Sequence, residues 1–442
     1  MKERKKKKKK ILIILLVTLP VLVASVFLYY KFCMDPYRGT NFDYVESLPL
    51  ETSLTAEQVA EDIDYVMKML KTRHPAWLED DNQRVKDVEV QYELEMEQIR
   101  DEVSLSVMEE LQIINRIMNR LHDGHTCVYA ECEDARYIND YTELWEYGTP
   151  IKINGEPTKD ILDRFLDLFQ YEREEYAVRL FEDSIIISEQ DMKLLGIETS
   201  NGVTFTYDTD EGEKEYHYSF VRFEDVEMDY EYSEEGPNWV DYKIDRENGV
   251  GIFILEECNY NEEYVNMVKK FFTEVDAADI ENIIVDLRMN GGGNSMVGDE
   301  FLHYLDIDGY YTWADQVRYG HFLWKHEKRY IENTRENPVF SGKIYVLTDL
   351  STYSAAMDFA MYIADNDLGV LVGEASGNLP DAYGDLLQFI TPNAKLTFSV
   401  SHKKWFRIDE SKSGDPLTPD ILCDPAEAMD KAYEIIREST SE

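Results

Sequence analysis

The chain has 442 residues, 44% of them hydrophobic, enough to bury two or three ordinary cores. Its formal charge of −44 excludes a nucleic-acid role, because gripping a phosphate backbone requires a cationic face. Five cysteines, Cys33, Cys127, Cys132, Cys258 and Cys423, form no CxxC and no zinc-like pairing with histidine, so no metal and no cofactor is expected. Cys127 and Cys132 are close enough in sequence to close a small hairpin, but free thiols are the simpler reading.

The charge is unevenly placed. "MKERKKKKKK" holds eight basic residues against one acidic, a net of +7, so the rest of the chain carries −51. Next comes "ILIILLVTLPVLVASVFLYY", residues 11–30, twenty residues without a charge and long enough to span a bilayer as a helix. The run holds no small-x-small cleavage site except "VAS" in its middle, which favours an uncleaved anchor over a signal peptide. The bulky "YKFC" around Cys33 is unlike a lipoprotein signal. Lysines on its N-terminal side predict a cytoplasmic tail, with the remainder of the chain outside the membrane.

Beyond a juxtamembrane linker, "TAEQVAEDIDYVMKMLKTRHP" opens with a capping box, Thr55 and Gln58. It carries Val59, Ile63, Val66, Met67 and Leu70 at helical spacing. A second box, Ser106 with Glu109, starts "SVMEELQIINRIMNRL". That helix ends at "HDGHTCVYAE", where Asp123-Gly124 marks a turn and His125 to Tyr129 a short strand. From 137 to 245 the pattern is mixed: "PIKINGEPTKDILDRFLDLF" reads as strand, turn and helix, and "GVTFTYDTDEGEKEYHYSFV" as a hairpin. From Gly249 onward short apolar strands alternate with helices, the signature of an α/β unit with a buried, largely parallel sheet. Within it, the aperiodic segment 306–341 reads as a long surface insertion near the sheet's open end.

Two strand-to-loop junctions carry chemistry. "NIIVDLRMNGGGNS" runs a buried strand into Gly291, Gly292 and Gly293, whose N–H groups can form a nest for a developing negative charge or simply a tight turn. "KIYVLTDLSTYSAAMDFAMYIAD" places four hydroxyls, Ser351 to Ser354, ahead of a helix. Either Ser351 or Thr352 caps that helix and Ser354 is ordinary, or Ser354 is a nucleophile whose oxyanion would meet the unpaired N–H of Ala355.

"IIVDLRMNGGG", "IYVLTDLSTYSAA", "VLVGEASGNLPDAYGD" and "PLTPDI", with "RHP" and "LHDGHT" upstream, resemble in order and spacing the C-terminal-processing (tail-specific) serine peptidases, over about residues 54–435. The resemblance implies a crotonase-like α/β core, Ser354 as nucleophile, and an oxyanion hole from Gly291, Gly292 and the Ala355 N–H. No lysine or arginine lies between Ser354 and Asn393, so the serine–lysine dyad of well-known branches is absent. The histidine-dependent, tricorn-like branch fits better, and "DGHT" then makes His125 the general base; His122 reads as surface. The orienting third group is left to "DESKSGDPLTPD", where Ser413 falls closest, Glu410 and Asp415 are near, and Asp415 is preferred. "IKINGEP" looks like a remnant of a PDZ strand, without a carboxylate-binding glycine loop ahead of it.

The expected layout is a basic tail (1–10), an anchor (11–30), a linker (31–52), an N-terminal helical region (53–136), a mixed, degenerate PDZ-like or hairpin insertion (137–245), an α/β core (246–435) and a tail (436–442). The expected function is a membrane-anchored extracytoplasmic serine peptidase acting on polypeptides. The alternatives are an inactive binding or scaffolding protein of the same fold, and acyl chemistry on a CoA-type ligand, which the expected topology opposes.

Overall fold

The computed structural model describes residue 16, residues 18–227 and residues 238–440. The basic tail and most of residues 11–17 lie outside the described residues. The transmembrane expectation is corrected: among the described residues no helix is long and apolar enough to cross a membrane. The described α-helical turns at 18–29 pass at residue 30 into a π-turn that carries Lys31, paired with Asp35 at 2.7 Å. A spanning helix needs about twenty apolar residues in one run. The extracytoplasmic placement rested on that anchor and falls with it.

Both capping boxes form. Helix α1 (Ala56–Arg73) starts at Thr55 and Gln58, and, after α2 (Gln83–Ile99), helix α3 (Val107–Asn119) starts at Ser106 and Glu109. The apolar stripe of α1 is buried at Val59, Ile63, Val66, Met67 and Leu70. The strand after "DGHT" is only β1 (Val128–Tyr129), and His125 lies in the turn before it. Residues 152–218 add a four-stranded antiparallel sheet and helices α4 (Thr158–Leu168) and α5 (Glu174–Asp183). The hairpin read from "GVTFTYDTDEGEKEYHYSFV" pairs Val203–Thr209 with Gly212–Tyr218.

The core is a six-stranded sheet. Strands β2 (Val240–Asp245) and β3 (Val250–Leu255) pair antiparallel, so the expected insertion boundary at 245 gives way: Val240–Asp245 is an edge strand of the core. Helix α6 (Glu262–Ala277) leads to β4 (Asn282–Asp286), followed by α7 (Met296–Leu302). The segment 306–341 is largely exposed from 319 to 339, but it is also part of the fold. Its hairpin, β5 (Ala314–Tyr319) and β6 (Phe322–His326), joins a second sheet, and the buried Arg318 donates to the carbonyls of His74 at 2.5 Å and Lys71 at 2.7 Å. Without a clear apolar period, that segment gave no sign of pairing so far from its own neighbours.

Strand β7 (Lys343–Thr348) enters helix α8 (Ala355–Asp365), which returns to β8 (Val370–Gly373). Strands β9 (Tyr383–Ile390) and β10 (Thr397–Phe406) form a long hairpin, and the chain closes with β11 (Ile421–Leu422) and α9 (Ala428–Thr440). The core sheet order is β2-β3-β4-β7-β8-β11, parallel from β3 to β11. Its residues alternate faces, as a strand must: Ile283 and Val285 pack under α6, α7 and α8, while Ile284 packs against Ala428, Ala432 and Ile436 of α9. The second sheet runs β6-β5-β10-β9, with β1 also on β10.

One apolar core joins regions distant in sequence. Val59 and Ile114 of the N-terminal helices, Phe205 of the insertion, and Phe389 and Phe398 of the β9-β10 hairpin belong to the same buried cluster. The β10 edge thereby brings the "DGHT" turn to the open end of the core sheet.

Candidate active site

Strand β7 ends at Thr348 and the loop before α8 is tied to the loop after β4. Thr352 Oγ donates to the Leu287 carbonyl at 2.9 Å, the Tyr353 N–H to the Asn290 carbonyl at 2.9 Å, and the Met289 N–H to the Asp349 carboxylate at 3.1 Å. Thr352 is therefore spent on the loop and does not cap the helix. The N-cap is Ser354, in a left-handed conformation with φ of 51° and with no capping bond from its side chain. A non-glycine residue there costs about 1–3 kcal/mol and persists only where its surroundings hold it. Here the Asn378 side chain accepts the Ser354 N–H at 2.8 Å. The hydroxyl is left free to face another partner.

That partner is His125. Its Nε2 lies 3.1 Å from Ser354 Oγ, although 229 residues separate the two. Its turn is built from the sequence around it: Asp123 Oδ1 accepts the His125 N–H at 3.0 Å, and Asp123 Oδ2 meets Nε2 of the buried His74 at 3.0 Å. His74 Nδ1 accepts the Ala76 N–H, so its proton sits on the nitrogen facing Asp123. "RHP" and "LHDGHT" are thus two halves of one buried support. From the β10 side, Ser399 Oγ donates to the His125 carbonyl at 2.7 Å. The Tyr353 ring packs on the imidazole with 5.3 Å between centroids.

The other imidazole nitrogen, Nδ1, is buried without a hydrogen bond, and so is Oε1 of Glu172, 3.8 Å away. Asp123 Oδ1 stands at 3.9 Å. Glu172 is held by the Leu379 N–H, which donates to Oε2 at 2.9 Å. Burial pushes the His125 imidazolium down, but the Glu172 and Asp123 carboxylates outweigh it and hold its pKa above the ordinary histidine value. Burial likewise raises Glu172, with His125 pulling the other way. The His74 contact and the charge on His125 outweigh burial at Asp123 and hold it far below the usual carboxylate range.

Asp415 is not the group that meets His125. It is exposed on the loop after β10, where its backbone carbonyl accepts Arg407 at 3.2 Å. The carboxylate that does face its Nδ1, Glu172, sits in the short link between α4 and α5. Nothing in "YEREEY" marked Glu172, because its role depends on a chain reversal and not on spacing.

The glycine run also differs from expectation. The Gly292 N–H is taken by the Asn290 side chain at 2.9 Å, and Gly291 does not line the cleft. What Gly292 supplies is room. With φ at 101°, a Cβ there would come 2.7 Å from both Ser354 Cβ and the Tyr353 carbonyl. The N–H groups of Gly293 and Ala355 find no acceptor among the described residues, and both residues line the cleft beside Ser354. Cys258, whose N–H donates to the Gly292 carbonyl at 2.9 Å, fixes this loop from below. All five cysteines are free, including Cys127 and Cys132.

The cleft has a volume of about 370 Å³ and also includes Met357, Asp358, Asn378, Tyr383, Lys403 and Trp405. Lys403 is committed elsewhere: its ammonium pairs with Asp385 and lies over the Trp405 ring at 5.2 Å. A larger groove of about 530 Å³, beside Asp276 and Lys343, includes neither Ser354 nor His125.

Residues 251–423 match the sequence model of peptidase family S41. The protein is a serine-type peptidase. No curated protein matches the chain by sequence. Among solved structures, mature CPAF complexed with lactacystin is similar, with a TM-score of 0.57 and 13% identity over 87% of this chain and 97% of that one. The photosystem II D1 C-terminal processing protease gives 0.48 and 12% over 87% and 98%. The tricorn protease gives 0.38 and 14% over 87% of this chain and 37% of that one. At such identities a likeness concerns the fold alone, and the tricorn match is too weak to assign this peptidase to a branch.

Proposed function

We propose that this peptidase hydrolyses polypeptides through an acyl-enzyme on Ser354, with His125 as general base and Glu172 as the group that orients it. On this reading the base is a histidine and not a lysine. The observation that carries the reading is the 3.1 Å contact between His125 Nε2 and Ser354 Oγ, made across two separate parts of the fold. The proton on Nδ1 points toward Glu172, leaving the Nε2 lone pair for the serine. Ser354 Oγ forms a bond to the substrate carbonyl carbon while its proton passes to Nε2, and the N–H groups of Gly293 and Ala355 receive the oxyanion. The tetrahedral intermediate then collapses as the C–N bond breaks and His125 returns the proton to the leaving amine. A water, deprotonated by His125, repeats the sequence on the acyl-enzyme and frees Ser354.

Treatment with a fluorophosphonate probe and mapping of the modified peptide tests this reading. Labelling at Ser354, lost in Ser354→Ala, is the expected result. Labelling at another serine, or persisting in the variant, would overturn it.

A further inference from the structure

Asp358 has no part in the mechanism above, yet it lines the cleft beside the nucleophile. It lies one turn into α8, with its N–H bonded to the Ser354 carbonyl at 2.9 Å, and so stands above the nucleophile on the same helix face. Its carboxylate lines the cleft and makes no hydrogen bond or ion pair with any described residue. The cations nearby are unavailable to it. Lys403 is held by Asp385 and the Trp405 ring. His125 is held by Ser354 and faces Glu172. The neighbouring carboxylate, Asp299 on α7, is already satisfied by the Tyr310 hydroxyl at 2.6 Å.

A first-turn acid gains only a little from the helix dipole. That gain does not cover desolvation here: burial holds the Asp358 carboxyl up at about 7, against a pull downward from His125 and a push upward from Asp299. A half-buried carboxylate with no cation beside it, open to the cleft, is a half-made ion pair, and the cleft has room for the other half. During reaction the leaving amine must stand at His125, because that is where it takes its proton. The α8 face that carries Met357 and Asp358 lines the same cleft as Ser354.

We propose that Asp358 is the specificity determinant of the cleft and accepts the lysine or arginine side chain of the residue whose carbonyl Ser354 attacks. The inference rests on the peptidase reading above. A basic side chain would reach past Met357 with its aliphatic stem and place its charge on the carboxylate, satisfying both at once. A neutral side chain leaves Asp358 unpaired, and an acidic one adds repulsion.

The test uses the full chain and three peptides identical except for lysine, leucine or glutamate before the scissile bond, with cleavage sites mapped by mass spectrometry. The expected order of kcat/KM is lysine, leucine, glutamate, with lysine ahead of leucine by roughly tenfold or more. In Asp358→Asn the lysine-to-leucine ratio should fall toward one, and in Asp358→Glu it should survive. The ratio is read within one preparation, so partial loss of folded protein cancels. Should the variants fail to fold, the order in the wild-type protein decides alone. Leucine cleaved as well as lysine, or a lysine preference intact in Asp358→Asn, would overturn the proposal while leaving the peptidase reading in place. No cleavage of any peptide together with an unlabelled Ser354 would bring down both.

Discussion

The two halves of the site are made in different ways. The nucleophile half is local: β7, a six-residue loop and α8 are contiguous, and the hydrogen bonds that fix Ser354 come mainly from the adjoining β4 loop and from Asn378. The base half is assembled from afar. His125 is held by Asp123 and His74 from the N-terminal helices, by Ser399 of β10, by the Tyr353 ring, and it faces Glu172 of the insertion. The core sheet has apolar packing of its own on both faces, whereas the His125 half shares a single core among the N-terminal helices, the insertion and the β9-β10 hairpin. A strand-turn-helix can present a serine without help, but an imidazole on a loop is aimed only when several distant segments agree.

That contrast is broken most directly at His125. His125→Ala should lower kcat/KM by on the order of 10⁴-fold while the circular dichroism spectrum stays native. A loss of only a few fold would mean that the distant half is scaffolding and that some other group activates Ser354.

The next effect separates two carboxylates. Glu172→Gln, nearly isosteric, should cost on the order of 10²-fold or more in kcat, because it removes the charge facing Nδ1. Asp415→Asn should leave kcat within about twofold, as expected for an exposed loop side chain away from the site. Equal losses, or the reverse order, would return the third position to the C-terminal loop.

A pH-rate profile sharpens the comparison further. His125 must be neutral to accept a proton, and its pKa is raised, so kcat/KM should rise with pH with a midpoint above the ordinary histidine value of 6.5. Glu172→Gln removes one of the charges that raise it, so the midpoint should move down. The two leading carboxylates are buried, at 0% exposure for the Asp123 side chain and 4% for Glu172, and the third, Asp358, is half-buried, so added salt should shift the midpoint little despite the net charge of −44. A large salt-dependent fall would locate the effect in the surface charge.

The smallest effect concerns stability in the His125 half. Glu110 is buried in α3 with neither carboxyl oxygen hydrogen-bonded, and burial, then the nearby Asp62, hold its carboxyl up at about 10. Its folded value lies above its unfolded value of 4.5, so the folded state keeps a proton that the unfolded state releases. Stability should therefore decline as pH rises from the unfolded value toward the folded one. Glu110→Gln should flatten that decline between about pH 6 and about pH 9, read as the urea midpoint. An unchanged slope would show that Glu110 is not the group responsible.

The apolar alternation from "VGIFIL" to "GVLVG", the two capping boxes and the strand-turn-helix around Ser354 were all legible in the sequence, because each depends on residues within a few positions of one another. His125 was legible through the "DGHT" motif, though its supports were not. What tertiary structure alone decided is whatever depends on chain reversal: Glu172 in place of Asp415 opposite Nδ1, Gly293 in place of Gly292 as a free donor, and 306–341 as part of a sheet. The twenty uncharged residues at 11–30 show the same limit from the other side: they led to the expectation of an anchor, yet among the described residues no helix is long and apolar enough to cross a membrane. Local propensity and spacing are written along the chain. The direction in which a buried N–H or carboxylate points is set only when segments far apart in sequence pack together and take up its other partners.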